Sequence, residues 1–176
     1  FFDGEWSSNT VMLERCLGWW GIGFEANPVN FANAHRVRKG VVINSAIADK
    51  DGTMEMALSA TLSALTERTT REQMTRLKDD ANKRAMVPVR RLPPILKELG
   101  IGHIDFLSID VEGAEMSILS DPEFKDISVG LLAIETTQRQ AEIKSTLEGY
   151  GYVAITRLGD DTLWARNFDK ESLLSG

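Results

Sequence analysis

Hydrophobic positions along the chain alternate between continuous apolar runs and segments with helical spacing. The apolar runs are typical of buried strands and cover residues 20–26, 41–45, 104–109 and 129–134. Amphipathic segments predict helices at residues 9–17, 28–37, 93–99, 113–119 and 138–147. Strands that alternate with helices in this way predict a mostly parallel sheet with helices on both faces.

Three further segments complete the predicted sheet. Residues 53–58 alternate like a strand after a turn, residues 87–92 are extended, and residues 152–167 form a hairpin that turns near Gly159. We therefore expect an α/β fold whose sheet ends in an antiparallel pair at one edge.

The chain is expected to be a single domain over residues 1–176. Residues 59–83 are small and hydroxylated at first and charged afterwards, so they predict a mobile lid or substrate insertion rather than a sheet element. Residues 167–176 are expected to form a tail.

Capping residues mark several helix boundaries. Ser8 or Asn9 is suited to begin the first helix, and Gly18 ends it. Asn27 and Pro28 are an N-cap and a first-turn proline, which predicts that the second helix starts there.

Composition and charge limit the classes of partner. The chain has 176 residues and a net charge of −6, which disfavours general nucleic-acid binding. No apolar run approaches the roughly 20 residues of a membrane span, so no membrane contact is expected. Residues 68–91 hold eight bases and three acids. Such stretches are most often solvated helix faces, and a lid that faces an anion is the alternative.

The single cysteine, Cys16, rules out an internal disulfide and a Cys-based zinc site, so a reducing compartment such as the cytoplasm is expected. Cys16 shares an apolar helix face with Val11, Leu13 and Leu17, which predicts a buried, inert thiol.

Polar residues follow several of the apolar strands directly. Glu25, Ser45, Asp110 and Glu135 each lie at the carboxyl end of a predicted strand. Ligands of open α/β sheets bind in the crevice beyond these ends, so we expect the four residues to converge on one rim. Glu112 has two interpretations: it caps the helix that begins at Gly113, or it takes part in catalysis at this rim.

A glycine turn precedes the first helix, and an acidic residue follows this glycine at a spacing that is typical of nucleotide-binding units. Glu25 follows Gly4 by 21 residues, as in a nucleotide-binding βαβ unit. There the glycine allows close backbone approach, and the carboxylate accepts hydrogen bonds from ribose hydroxyls. The absence of G-x-G-x-x-G counts against a nicotinamide or flavin dinucleotide.

Four segments, in this order, resemble the FkbM-type family of S-adenosylmethionine-dependent methyltransferases: DGEWSSNTVMLE, GWWGIGFEANPVNF, NSAIADKDG and FLSIDVEGAEMSIL. The resemblance runs from about Asp3 to Trp164. It implies the class I methyltransferase fold, a Rossmann-like sheet of about seven strands whose last two strands form the antiparallel edge. It also implies O-methylation of a hydroxyl on a small-molecule acceptor such as a sugar or polyketide.

The resemblance also assigns roles to individual positions. It places Gly4 near the methionine part of the cofactor, Glu25 and Asn27 at the ribose, and Asp110 beside the sulfonium. The remaining residues of the expected cofactor site are Asp3, Asn9, Ser45 and Ala46, the last two beside the adenine.

The expected catalytic residues are Asp110, Glu112 and Glu135, because a carboxylate can accept the proton of the attacked hydroxyl. Mg²⁺ favours oxygen ligands, so a divalent metal bound by these acids is the alternative, but no metal ligand is predicted. If these three carboxylates lie close together, their mutual repulsion should raise the pKa of at least one of them unless a cation neutralises the charge.

One departure from the family concerns the first strand. Only Phe1 and Phe2 precede Asp3, where the family has a full strand and a cofactor loop, so this strand is expected to be truncated or missing. Two other functions therefore stay open: a nucleotide-dependent oxidoreductase on a similar sheet, and a non-catalytic cofactor-binding module. Oligomeric state cannot be predicted from these residues.

Overall fold

The computed structural model describes residues 4–5, 8–57, 84–111, 114–136 and 139–166. The predicted lid, the predicted tail, Asp3 and Glu112 all lie outside these residues. The chain divides into two compact units, one made of Phe1–Ile47 and Asp51–Arg90 and the other of Ala48–Lys50 and Arg91–Gly176.

The described part of the first unit contains helices and short strands in alternation. Their order along the chain is α1 (Val11–Leu17), β1 (Ile22–Phe24), α2 (Pro28–Val37), β2 (Val41–Ile43), β3 (Ala46–Ile47), β4 (Gly52–Ala57) and β5 (Arg84–Arg90). The dipeptide Ala46–Ile47 is the one strand here that the hydrophobic pattern did not predict, because two residues are too few to show a period.

The described part of the second unit has longer strands. Its order is α3 (Leu92–Glu98), β6 (Ile104–Ile109), α4 (Glu115–Leu119), a 3₁₀ turn (Phe124–Asp126), β7 (Val129–Glu135), α5 (Gln140–Gly149), β8 (Tyr152–Leu158) and β9 (Asp161–Arg166). Across both units, none of the helices that the structure describes is long and apolar enough to cross a membrane.

The prediction of a mixed α/β class is confirmed, but the prediction of one mostly parallel sheet of about seven strands is wrong. The described strands pair in three sheets, with the orders β1-β2, β3-β5-β4 and β6-β7-β9-β8. The expected antiparallel hairpin is present, since β8 and β9 pair antiparallel and β8 lies at the edge of its sheet.

Strand exposure explains why the sheet prediction failed. Positions along β5 alternate between buried and exposed, and β5 pairs antiparallel with β4, as is usual for a sheet that is open to solvent on one face. Among the strands that the structure describes, β6 pairs with β7 only, and most of its positions are half-buried rather than buried. The alternation of strands and helices along the sequence does not predict which strands become neighbours in a sheet.

The predicted caps of the first unit are largely confirmed. Asn27 accepts a hydrogen bond at Oδ1 from the Val29 N–H at 2.9 Å, and Pro28 is the first residue of α2. Gly18 ends α1 in a left-handed conformation with φ 71°. The cap of α1 is Thr10 rather than Ser8 or Asn9.

The prediction of a buried Cys16 is wrong, because the thiol is exposed. The buried residue of α1 is Glu14, which forms an ion pair with Arg38 and is 5 % exposed. Since Cys16 follows Glu14 by two positions on a helix, it lies near the opposite face and points to solvent. The buried charge therefore sets the orientation of α1, against the apolar pattern.

The core of the second unit holds β7 in place. Leu132 and Ile134 of β7 and Ile143 and Leu147 of α5 are all fully buried. Because every second residue of a strand shares a face, Leu132 and Ile134 lie on the same side of β7. Burial of this strand fixes the position of Glu135, its last residue.

Two glycines of the first unit provide a test of close backbone packing. A Cβ on Gly40 would lie 2.2 Å from the carbonyl oxygen of Gly21, whereas a Cβ on Gly21 would meet nothing within 4 Å. We expect Gly40→Ala to lower the free energy of unfolding by about 1–3 kcal/mol, because the backbone has to shift. Denaturant titration of both variants checks this, with Gly21→Ala as the control. Equal stability of the two would contradict the packing described here.

Candidate active site

The carboxyl ends of β1 and β2 are joined by hydrogen bonds. The Glu25 N–H donates to the carbonyl of Ile43 at 3.0 Å. The Asn44 side chain donates through Nδ2 to the carbonyls of Glu25, at 2.8 Å, and Ala26, at 3.1 Å. The backbone around Glu25 is therefore held from the neighbouring strand.

The Glu25 carboxylate is buried at the start of α2. The residue is 6 % exposed, and its Oε1 accepts a hydrogen bond from the Asn27 N–H at 2.8 Å. Asn27 is 4 % exposed and caps α2 with its own side chain. A negative charge at a helix N-terminus is stabilised by the backbone N–H groups there. Each carboxylate oxygen has two lone pairs, so the group can accept further hydrogen bonds.

Ser45 and Ala46 connect β2 to the second sheet. The Ser45 hydroxyl is within hydrogen-bonding distance of the carbonyls of Ala46, at 2.8 Å, and Pro88, at 3.1 Å. Ser45 is 2 % exposed, and its single proton serves backbone carbonyls. This side chain has a structural role, and contact with an adenine stays a prediction for both residues.

Gly4 is buried and has φ +88°, a conformation that favours glycine. A Cβ at this position would lie 2.9 Å from the Cα of Ala34 in α2. Because glycine has no side chain, the backbone at Gly4 can pack closely against α2. Asn9, also expected in the cofactor site, is exposed in the turn before α1.

In the second unit, the structure brings Asp110 and Glu135 together. Asp110 directly follows β6, Glu135 ends β7, and these strands are parallel neighbours with Ile109 opposite Ile134. A side-chain hydrogen bond with Glu135 is among the influences that lower the pKa of Asp110. Two carboxyl groups thus lie together at the carboxyl ends of neighbouring parallel strands.

The surroundings of this pair raise the pKa of Asp110. Desolvation by surrounding protein atoms is the largest cause, although the residue retains solvent-exposed surface at the strand end. The negative charges of Asp161 and Glu115 raise the pKa further, and the hydrogen bond with Glu135 opposes them. Two neighbouring acids thus contribute to the raised pKa of Asp110, but they are not Glu112 and Glu135, the two whose repulsion was expected.

Two of these acids were not among the predicted site residues. Asp161 begins β9 and lies opposite Glu135 in the antiparallel pairing of β7 with β9. Glu115 is 3 % exposed in α4, and its Oε1 accepts a hydrogen bond from the Val111 N–H at 3.3 Å. The sequence places Asp161 at the hairpin turn, but its alignment with Glu135 depends on a strand register that no sequence pattern specified.

The predicted site residues thus fall into two groups. Glu25, Asn27 and Ser45 belong to the first unit, and Asp110 and Glu135 belong to the second. Convergence of both groups on one rim stays a prediction, as does the role of Glu112. The described residues contain no group of three or more His, Cys, Asp or Glu side chains arranged to hold a metal ion.

The first unit also contains residues that the sequence did not single out. Asn44, beside Glu25, follows an apolar strand directly, which is the signal that identified Ser45. Arg38 and Glu14 form an ion pair whose side chains are 4 % and 5 % exposed. No pattern indicated this pair, because the two residues are 24 positions apart.

Comparison with known proteins gives one family match. A family model described as the methyltransferase FkbM domain matches residues 2–154, which include every predicted site residue. No curated protein matches the chain. No solved structure matches it either.

Proposed function

This chain belongs to the family of FkbM methyltransferase domains, and we propose that it uses S-adenosylmethionine to methylate a hydroxyl group of a small molecule. The observation that carries the proposal is the carboxyl pair of Asp110 and Glu135, which sits at the carboxyl ends of two parallel strands. Ligands of α/β sheets bind at such ends. The acceptor class, a sugar, polyketide or similar metabolite, rests on the family resemblance.

The residues of the first unit suit the nucleoside part of this cofactor. Glu25 offers a buried carboxylate, held at one oxygen by the Asn27 N–H. A ribose has two neighbouring hydroxyl donors, which a carboxylate can bind together. Glu25 is therefore assigned to the ribose, and Gly4 to the methionine part.

The residues of the second unit suit a cation. Asp110, Glu135, Asp161 and Glu115 concentrate negative charge, and the pKa of Asp110 is raised, first by desolvation and then by two of these charges. A nearby positive charge would relieve this repulsion. The sulfonium of S-adenosylmethionine is such a charge, which supports placing Asp110 beside it.

The same pair has the chemistry to manage the acceptor's proton. When bound, S-adenosylmethionine supplies an electrophilic methyl group. The ionised carboxylate of Asp110 can take the proton that the acceptor hydroxyl loses. A raised pKa makes the Asp110 carboxylate a stronger base than an ordinary aspartate. The pair also orients the hydroxyl by accepting its hydrogen bond, which contributes alignment.

A labelled-transfer assay tests the proposal. Purified protein is incubated with S-adenosylmethionine carrying a radiolabelled methyl group and a panel of sugars, phenols and aliphatic alcohols, with matched amines as the comparison set. We expect label in a hydroxyl compound and formation of S-adenosylhomocysteine. Label in amines alone would contradict O-methylation. Cofactor binding without any transfer would favour the non-catalytic module, and binding of NAD instead would favour the oxidoreductase.

A further inference from the structure

The Arg38 side chain lies at the centre of a buried network in the first unit. It is 4 % exposed and follows the last residue of α2. Its Nη1 donates to the Gly4 carbonyl at 3.3 Å and to Ser8 Oγ at 3.1 Å, and its Nη2 donates to Thr10 Oγ1 at 2.9 Å. One guanidinium therefore binds three positions in the segment that leads into α1.

Glu14 provides the charge that compensates Arg38. Its Oε2 accepts a hydrogen bond from Arg38 Nε at 3.1 Å. The same oxygen accepts from the Gly40 N–H at 3.2 Å, and Glu14 Oε1 accepts from the Lys39 N–H at 2.7 Å. Burial raises the pKa of Glu14, but these hydrogen bonds outweigh it and leave the pKa lowered, so the carboxylate stays charged.

A buried ion pair needs an explanation other than stability. Replacing such a pair by well-packed apolar side chains is often neutral or stabilising, because both charges lose their hydration. What the guanidinium adds is direction, since its planar fork presents donors at fixed angles. Here that fork fixes a backbone carbonyl, at Gly4, as well as two side chains.

The bond to Gly4 concerns the position assigned to the methionine part of the cofactor. Gly4 also packs against Ala34 so closely that a Cβ would overlap it, and its φ is +88°. Packing restrains one side of this peptide, and Arg38 restrains its carbonyl. The backbone at Gly4 is thereby set before any ligand arrives, which lowers the cost of binding.

We propose that Arg38, compensated by Glu14, is a positioning residue that preorganises the backbone at Gly4 for the amino-acid part of S-adenosylmethionine. The inference rests on the proposed function, because it needs the cofactor to lie at Gly4. It goes beyond that function by assigning recognition of one portion of the cofactor to a residue that does not touch it.

Two variants remove the positioning in different ways. Arg38→Met deletes the whole network, whereas the double variant Ser8→Ala/Thr10→Ala removes two acceptors and leaves the Arg38–Glu14 pair intact. Arg38→Lys keeps the charge without the fork. Arg36→Met is the matched control, because Arg36 is an exposed arginine on α2 that donates to Asn33 Oδ1.

Calorimetry with two ligands separates positioning from general loss of structure. S-adenosylhomocysteine carries the amino-acid part, and 5′-methylthioadenosine lacks it. We expect Arg38→Met to weaken S-adenosylhomocysteine binding about tenfold or more, by loss of preorganisation, and to leave methylthioadenosine binding near that of wild type. The double variant should show a smaller loss of the same selectivity, and its unfolding midpoint should fall, because two buried donors of Arg38 lose their acceptors. Arg38→Lys should restore part of the affinity, and Arg36→Met should match wild type.

Each outcome decides the proposal. If Arg38→Met does not fold, the double variant carries the test. Equal loss for both ligands, or unchanged S-adenosylhomocysteine affinity in the folded variants, overturns the positioning role while the proposed function stands. Wild-type protein that binds neither ligand overturns the proposed function and this inference together.

Discussion

Replacing Asp110 by asparagine is expected to reduce methyl-transfer turnover by about 10²- to 10⁴-fold, the usual loss when a general base is removed. The change keeps the shape of the side chain and removes its charge. Asp110 lies near Glu135, Asp161 and Glu115, so asparagine removes one of these neighbouring charges without opening a cavity. The fold should survive.

The same variant separates binding from chemistry. If the Asp110 charge faces the sulfonium, Asp110→Asn should weaken S-adenosylmethionine binding and leave the uncharged S-adenosylhomocysteine almost unaffected. Calorimetry with both ligands measures this difference. Asp105→Asn is the control, because Asp105 lies on β6, the strand that Asp110 directly follows, and its side chain is 79 % exposed. Equal weakening of both ligands would show that the charge does not contact the sulfonium, and full turnover would remove Asp110 from the site.

The pKa of Asp110 also predicts a pH dependence. Desolvation and the neighbouring acids raise this pKa, so the folded protein holds the proton to higher pH than an unfolded chain does. The stability contributed by this group is therefore complete below the unfolded pKa and is lost as pH rises through the folded pKa. Methyl-transfer activity should rise with pH through the same range, because Asp110 has to be deprotonated to act as a base. Asp110→Asn should abolish this part of both pH profiles.

The second large effect is expected at Glu25. Replacement by alanine removes charge-assisted hydrogen bonds to the ribose, worth about 1.5–3 kcal/mol each, so cofactor affinity should fall about tenfold or more. The carboxylate also accepts the Asn27 N–H, and Asn27 caps α2, so some loss of stability accompanies the change. Thermal unfolding measured beside the binding titration distinguishes the two losses.

Glu55→Ala provides the control for Glu25. Glu55 lies on β4 with a side chain that is 54 % exposed, and its ion pair with Arg84 is also at the surface. Exposed pairs of this kind contribute little to stability, so affinity and unfolding midpoint should both match wild type. Unchanged cofactor binding in Glu25→Ala would show that Glu25 does not contact the cofactor. The main argument that the first unit binds the nucleoside part would then be lost.

Local signals in the sequence predicted individual elements well. Asn27 and Pro28 placed the start of α2 correctly, because capping chemistry depends on neighbouring residues alone. The apolar run Ile104–Ile109 corresponds to β6 without error, and the turn at Gly159 joins β8 to β9 as expected. These features are set by interactions within a few residues.

Long-range features were predicted poorly. The pairing of β5 with β4 creates a separate sheet, and the hydrophobic period of a strand does not identify its neighbour. Cys16 was placed inside because its neighbours are apolar, yet the ion pair of Glu14 with Arg38 turns α1 the other way. Such a pair joins residues far apart in sequence and leaves no periodic signal.

The candidate site shows the same division. Asp110 and Glu135 were found because each follows an apolar strand, and parallel pairing then brings them together. Asp161 was missed because its position opposite Glu135 depends on the register of an antiparallel pair. Strand ends can therefore be located from the sequence, whereas the cross-strand partners that tune their pKa values cannot.

The most direct test of the central claim is a calorimetric titration of the wild-type protein with S-adenosylmethionine, with NAD titrated in parallel. Specific use of this cofactor predicts saturable binding of one S-adenosylmethionine per chain and no binding of NAD. Absence of binding for S-adenosylmethionine, or tighter binding of NAD, would contradict the account.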